Sequence, residues 1–128
     1  MIGLEFVMVD ERDVSLVRQA YALICEEFGM GDVEDESSFG QTVASLTDYA
    51  VVPVMVCAVD QIEVRGVVLG VYLENINVGM ALYSAVTKSL QRTGIYSILR
   101  CQLILRLNAL ASERNSGLPQ SRAFCDEI

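Results

Sequence analysis

The chain has 128 residues and a formal net charge of −8, which is the size of one domain and argues against nucleic acid as a partner. No apolar run reaches the roughly 18 residues that a membrane span needs, and no basic segment followed by an apolar stretch marks a signal peptide. We therefore expect a cytoplasmic protein without a membrane partner. The absence of histidine excludes Ser-His-Asp and Cys-His catalysis. The four cysteines form no C-x-x-C pair, so we expect buried free thiols and no metal.

Acidic and basic residues are distributed unevenly along the sequence. Thirteen of the 17 acidic residues lie at or before Glu63, and residues 75–112 contain none. That acid-free segment carries Lys88, Arg92, Arg100 and Arg106. A locally positive stretch in an acidic protein favours an anionic ligand in that half. The alternative is a chance cluster on a solvated helix face.

The first half of the sequence predicts one strand and two helices. Leu4–Val9 is the strand, and apolar residues at helical spacing over Val14–Phe28 predict a helix that ends at Gly29. An acidic, glycine-containing loop follows. The spacing of apolar residues over residues 37–49 then predicts a second helix.

The middle of the sequence predicts three consecutive strands. Residues 51–59, 63–73 and 80–86 are rich in Val and other apolar residues and are separated by short turns, which is typical of an antiparallel meander. Gly66 and Gly70 lie inside the second of these strands and indicate a bulge or a close backbone approach.

A long helix and a last strand complete the predicted order. Residues 95–111 are apolar on most sides of the helix, so we expect that helix to be largely buried. Residues 123–128 predict a strand parallel to the one that precedes the helix. The order β-α-α-β-β-β-α-β predicts an α+β (α/β) fold, with a mixed, mostly antiparallel sheet flanked by helices.

The junction between the third strand of the meander and the long helix has the features of a phosphate-binding turn. A helix N-terminus exposes unpaired N–H groups and about half a unit of positive charge, and phosphates bind such places readily. Gly94 lets the chain approach an anion without a Cβ in the way, and Lys88 and Arg92 can add whole charges. A strand that separates from its neighbour just before this turn would leave backbone groups for an amide-rich chain such as pantetheine.

The segment Gln91-Arg92-Thr93-Gly94-Ile95-Tyr96 resembles the Q/R-x-x-G-x-G/A loop of the GNAT superfamily of N-acetyltransferases. The spacing back to Ser84-Ala85-Val86, the Val-Arg-Gly-Val-Val of residues 64–68 and the element order match the family as well, over residues 1–128 as one domain. The resemblance implies an enzyme that uses acetyl-CoA, with pantetheine on the backbone of the strand end and the pyrophosphate on the loop. The implied cofactor-binding residues are Ser84, Ala85, Val86, Gln91, Arg92, Thr93, Gly94, Ile95, Tyr96 and Ser97.

Two features depart from the family pattern. Tyr96 stands where the family has Gly or Ala. The chain also ends at Ile128, whereas GNAT domains continue through another helix and two more strands. We therefore expect a fragment, a domain completed by a partner subunit, or a form that has lost activity. An incomplete sheet edge favours a homodimer.

Direct acyl transfer from a coenzyme A thioester to an amine, in a small molecule or a protein, needs a group that takes the amine proton. The candidates are Glu127, Glu74 and Tyr83, each of which has a purely structural alternative: a solvated chain end, a surface turn and side-chain packing, respectively. The alternative function is a non-catalytic GNAT-like binding or dimerisation module. A small longin-like or roadblock-like interaction domain is the alternative fold.

Overall fold

The computed structural model describes residues 4–9, 12–28, 51–74, 77–114 and 123–126. The elements are β1 (Leu4–Val9), α1 (Val14–Phe28), β2 (Val51–Asp60), β3 (Glu63–Leu73), β4 (Val78–Val86), a 3-10 turn (Lys88–Leu90), α2 (Ile95–Arg114) and β5 (Ala123–Asp126). They follow the predicted order. The helix predicted over residues 37–49 lies outside the described residues and stays a prediction.

The five strands form one sheet in the order β1-β2-β3-β4-β5. Short turns connect β2, β3 and β4, so these strands and β1 pair antiparallel, whereas β5 follows a helical crossover and pairs parallel with β4. The mixed, mostly antiparallel sheet predicted from the sequence is confirmed. β4 begins at Val78, two residues earlier than expected, because Asn77 closes the turn in a left-handed conformation (φ 54°) that asparagine tolerates.

Within the described residues, one helix packs on each face of the sheet, and an apolar core lies under each helix. The core under α1 includes five buried residues of that helix: Ala20, Tyr21, Leu23, Ile24 and Cys25. The core under α2 includes six: Ile95, Leu99, Leu103, Leu107, Leu110 and Ala111. The sheet supplies alternate residues to each side, as the period of a strand requires.

The outer face of α2 is more exposed than the sequence predicts. Leu105 is 62% exposed, Ile98 is 36% exposed, and Cys101 is also exposed. The expectations that α2 is largely buried and that Cys101 is a buried thiol are therefore wrong. The physical reason is that α2 lies on one sheet face and buries the residues of a single stripe, while apolar residues on the other side meet no described element.

Three glycines of the sheet lie directly under leucines of α2. A Cβ built on any of them would come within 2.7 to 3.0 Å of a leucine side chain. The three pairs are Gly66 with Leu99, Gly70 with Leu103 and Gly79 with Leu107. The leucines recur every four residues and form one ridge, so the glycines provide the groove that lets α2 approach the sheet closely. The close approach predicted from Gly66 and Gly70 is confirmed.

A β-bulge in β4 changes which layer its side chains face. Leu69 pairs with Tyr83 and Gly70 pairs with Ala81, so Leu82 is an extra residue in β4. Ala81 consequently belongs to the α2 core while Tyr83 packs against the α1 core. Without the bulge, residues two apart would share a face. The bulge lies beside Gly70, as the sequence indicates.

A side chain of α1 fixes this helix to the turn between β2 and β3. The Gln19 amide nitrogen donates to the Ile62 carbonyl at 2.9 Å, and its amide oxygen accepts from the Val64 N–H at 2.9 Å. Together with the buried face of α1, these two hydrogen bonds fix the position of the N-terminal half of the helix relative to the β2–β3 turn.

Candidate functional site

The described pairing of β4 with β5 covers only the first half of β4. The parallel pairing runs from Val78 with Ala123 to Ala81 with Asp126, and the bulge at Leu82 follows at once. Residues 84–86 pair with β3 on one side, and no other strand among the described residues pairs with them on the second side. Their backbone donors and acceptors along that edge are placed for an extended, amide-containing chain.

The loop between β4 and α2 turns sharply through two left-handed residues. The 3-10 turn Lys88–Leu90 leads into Arg92 (φ 65°) and Gly94 (φ 90°). A Cβ on Gly94 would meet nothing within 4 Å, so its backbone angle rather than crowding favours glycine here. Arg92 adopts the left-handed region with a side chain, which is unfavourable by about 1 kcal/mol or more.

The N-terminus of α2 follows directly on Gly94. Its first backbone bond runs from the Ile98 N–H to the Gly94 carbonyl at 3.2 Å. The N–H groups of the first three helical residues come before that bond, as at any helix N-terminus, and the preceding Gly94 has no capping side chain. The turn also contains no acidic residue, so the positive end of the helix dipole is not compensated from within the helix.

These elements surround a cleft of about 360 Å³. Eight of the ten predicted cofactor-binding residues line it: Ser84, Ala85, Val86, Gln91, Arg92, Gly94, Tyr96 and Ser97. Leu90 and Glu27 complete the lining. The structure thus brings the predicted strand end and the predicted loop to one cleft, and adds a residue from α1.

Three predicted residues have side chains with other partners. Ile95 is 1% exposed and belongs to the α2 core, and the Thr93 hydroxyl donates to the Leu90 carbonyl within the loop. The Gln91 side-chain amide donates a hydrogen bond to the Val86 carbonyl oxygen at 3.0 Å and so connects the loop to the end of β4. These side chains hold the shape of the loop, and any contact of Thr93 or Ile95 with a ligand would come from the backbone.

Tyr96 lines the cleft as the second residue of α2 and is 39% exposed. The loop that this segment resembles has Gly or Ala at this position, so Tyr96 departs from that pattern. At this exposure the Tyr96 side chain is not part of the core under α2.

Two side chains of opposite charge also line the cleft. Arg92 comes from the loop and Glu27 from the last turn of α1, and both are exposed. Among the described residues neither forms a hydrogen bond or an ion pair through its side chain. Sequence reasoning missed Glu27. A signal was present, because an acidic residue in the last turn of a helix is disfavoured by the helix dipole.

The three predicted bases have different positions. Tyr83 precedes Ser84 in β4, but its side chain is partly buried against the α1 core. Glu74 follows Leu73, which pairs with Val78, so it lies about 20 Å along β4 from Ser84 at the usual rise per residue. The structure does not bring it to the cleft. Glu127 lies outside the described residues.

The described part of the chain offers no group of three or more Cys, Asp or Glu residues that could hold a metal ion. None of its helices is long and apolar enough to cross a membrane. Burial, and secondarily the nearby Asp13 carboxylate, raise the pKa of the Cys57 thiol to about 12. That thiol is therefore protonated and unreactive near neutral pH.

No family model matches the sequence, and no curated protein matches it. Several solved structures resemble its fold. An aminoglycoside 6'-N-acetyltransferase complexed with coenzyme A has a TM-score of 0.66 and 19% identity, over 82% of this chain and 56% of that one. An aminoglycoside acetyltransferase from an uncultured soil metagenomic sample, in complex with sisomicin, has a TM-score of 0.68 and 17% identity, over 98% of this chain and 78% of that one.

A tandem GNAT protein from the clavulanic acid biosynthesis pathway has a TM-score of 0.64 and 18% identity, over 83% of this chain and 33% of that one. This chain therefore spans between a third and four-fifths of the length of the three structures. The agreement in element order, sheet topology and overall superposition identifies its architecture: the chain has the fold of the GNAT acetyltransferases.

Proposed function

We propose that this chain is an acetyl-CoA-dependent N-acetyltransferase that transfers an acetyl group to an amine of a small molecule or a protein. One observation carries the proposal: the end of β4 and the N-terminus of α2 line a single cleft. The first feature suits an amide-containing pantetheine chain and the second suits a pyrophosphate. The coenzyme A complex among the similar structures supports the same ligand.

Each part of the cleft has a role in this proposal. The backbone of residues 84–86 pairs with the pantetheine amides along the edge of β4 that does not pair with β3. The N–H groups at the start of α2 and the guanidinium of Arg92 bind the pyrophosphate, where charge-assisted hydrogen bonds are about twice as strong as neutral ones. Gln91 holds the loop in position through Val86.

The reaction requires the amine to lose its proton before its lone pair attacks the thioester carbonyl. A C–N bond forms as the C–S bond breaks, and the departing coenzyme A thiolate takes up a proton. Backbone N–H groups near the end of β4 would stabilise the negative charge that develops on the carbonyl oxygen. Tyr83 is the predicted base on this strand segment, and its partly buried side chain favours proton transfer through water.

Calorimetric titration with acetyl-CoA tests the proposal, with product formation measured by chromatography. Gly94 offers a matched pair of variants, because Gly94→Asp and Gly94→Asn introduce the same shape into open space and both residues tolerate a positive φ. They differ by one negative charge beside the proposed phosphates. We expect Gly94→Asp to bind acetyl-CoA at least about tenfold more weakly than Gly94→Asn, which is about 1.4 kcal/mol.

Each result has a distinct meaning. A wild-type protein that does not bind acetyl-CoA or coenzyme A at millimolar concentration would refute the proposed function. Equal affinity of the Asp and Asn variants would show that the phosphates do not lie at Gly94. Tight binding without turnover on any amine would favour the non-catalytic binding module instead.

We further propose a single GNAT-like domain that is cytoplasmic and forms a homodimer. The free thiols Cys25, Cys57 and Cys101 are consistent with a reducing compartment. β1 and β5 are the outer strands of the sheet, and strand edges promote association. Sedimentation velocity across a range of concentrations checks the dimer, and a constant monomer mass would contradict it.

A further inference from the structure

We propose that Glu27 is a substrate-recognition residue that binds a second positive charge on the acceptor, so that the preferred acceptors are amines with two or more ammonium groups. This inference rests on the proposed function and adds the class of acceptor to it. Glu27 lines the same cleft as the end of β4 and the loop before α2, and it belongs to α1, in which no candidate site residue was predicted from the sequence.

The position of Glu27 in α1 is unfavourable for the helix alone. The last turn of α1 contains Glu26 and Glu27 and no basic residue, whereas the negative end of the helix dipole favours cations. The carboxylate and the dipole therefore add to a negative potential at this wall of the cleft. A bound cation would interact favourably with both the Glu27 carboxylate and the negative end of the helix dipole.

The opposite charges of the cleft stay apart in the structure. Glu27 and Arg92 both line it, yet neither has an ion pair within the described residues. Both residues are exposed where they line the cleft. A reaction between an anionic donor and a cationic acceptor requires both, with the pyrophosphate at Arg92 and a positive charge at Glu27.

The chemistry of transfer decides which ammonium Glu27 holds. The attacking nitrogen must be neutral, and an ion pair with a carboxylate would keep it protonated. A carboxylate in the cleft therefore assists binding most when it holds a different ammonium of the same molecule. This argument favours diamines and polyamines over monoamines.

Putrescine and butylamine provide a matched pair of acceptors, since both have four carbons and they differ by one amino group. Glu27→Gln and Glu26→Gln provide a matched pair of variants, since both remove one charge from the same exposed turn and Glu26 does not line the cleft. Initial rates of acetyl transfer are measured by chromatography. Putrescine binding is measured separately by calorimetry on the free protein and on protein saturated with coenzyme A.

We expect Glu27→Gln to raise the KM and Kd for putrescine about three- to tenfold, as for a partly screened ion pair. Butylamine kinetics, acetyl-CoA affinity and the Glu26→Gln variant should change by less than twofold, and 0.5 M NaCl should reduce the putrescine effect. Equal losses in both variants, equal losses for both amines, or no putrescine binding by the wild-type protein would each overturn the inference. Failure of the proposed function would appear differently, as a wild-type protein that does not bind acetyl-CoA.

Discussion

Replacing Gly70 with alanine tests whether the glycine groove fixes α2 on the sheet. A Cβ at this position would lie 2.8 Å from the Met80 carbonyl oxygen and 2.9 and 3.0 Å from the two Leu103 methyl groups. The carbonyl belongs to the neighbouring strand β4 and cannot rotate away, so the strand or the helix must shift. Gly70 has no positive φ, so the backbone itself accepts alanine.

The expected loss of stability follows from two opposing effects. Overpacking of this kind destabilises proteins by about 1–3 kcal/mol, and the smaller conformational freedom of alanine in the unfolded chain returns about 0.4–1 kcal/mol. We therefore expect the free energy of unfolding to fall by about 1–2 kcal/mol. With an unfolding entropy near 2.1 cal/mol/K per residue, the 128 residues predict a Tm lowered by about 4–7 °C.

Gly66→Ala is the matched control, because the nearest atom to its Cβ is a single Leu99 methyl group at 3.0 Å, at the far end of a side chain. That methyl can yield by a few tenths of an ångström, so we expect a change below about 0.5 kcal/mol. Urea and thermal unfolding, followed by circular dichroism, measure both variants. Equal stability of the two variants, or a Gly70→Ala protein as stable as wild type, would refute the close-packing argument.

Three further predictions concern positions away from this groove. Gln19→Ala removes both bonds to the β2–β3 turn and should lower the free energy of unfolding by about 1–2 kcal/mol in urea titrations; an unchanged midpoint would contradict the role of this clamp. Iodoacetamide at pH 8 should alkylate Cys101 in the native protein and leave Cys57 unmodified, because the pKa of Cys57 is raised to about 12; peptide mass mapping distinguishes the two. Arg92→Gly relieves a left-handed φ and should leave the Tm unchanged or higher while weakening acetyl-CoA binding in calorimetry; parallel losses of both would show that the side chain acts through folding.

Local sequence features predicted the parts of the site that depend on neighbouring residues. Runs of β-branched residues predicted the strands, glycines in β3 indicated a bulge or a close backbone approach, and Gly94 before an apolar run indicated the loop. Each of these signals acts within a few residues through backbone preference or side-chain period. The same reasoning could not separate side chains that line the cleft from those that brace the loop, since the roles of Gln91 and Thr93 depend on hydrogen bonds that spacing does not specify.

Other features depend on contacts between distant segments. The apolar residues of α2 look equivalent in sequence, and only the sheet decides that Leu103 is buried while Leu105 is 62% exposed. Glu27 and Arg92 are 65 positions apart in the sequence, and they line one cleft because α1 packs across the sheet toward β4. The periodicity of apolar residues carries no information about contacts between distant segments. The sequence therefore could not predict that Glu27 and Arg92 line the same cleft.

The positions of α1 and α2 at the cleft suggest a physical reason for the uneven distribution of charged residues along the chain. The acidic first half supplies α1 with its carboxylate at the cleft, and the acid-free segment supplies the loop and the start of α2. A carboxylate in the first turn of α2 would satisfy the helix dipole and would also repel a pyrophosphate. A lysine in the last turn of α1 would satisfy that dipole and would repel a cationic acceptor. Both helices thus lack their stabilising terminal charge where they meet the cleft, which is what the proposed anionic donor and the proposed cationic acceptor would require.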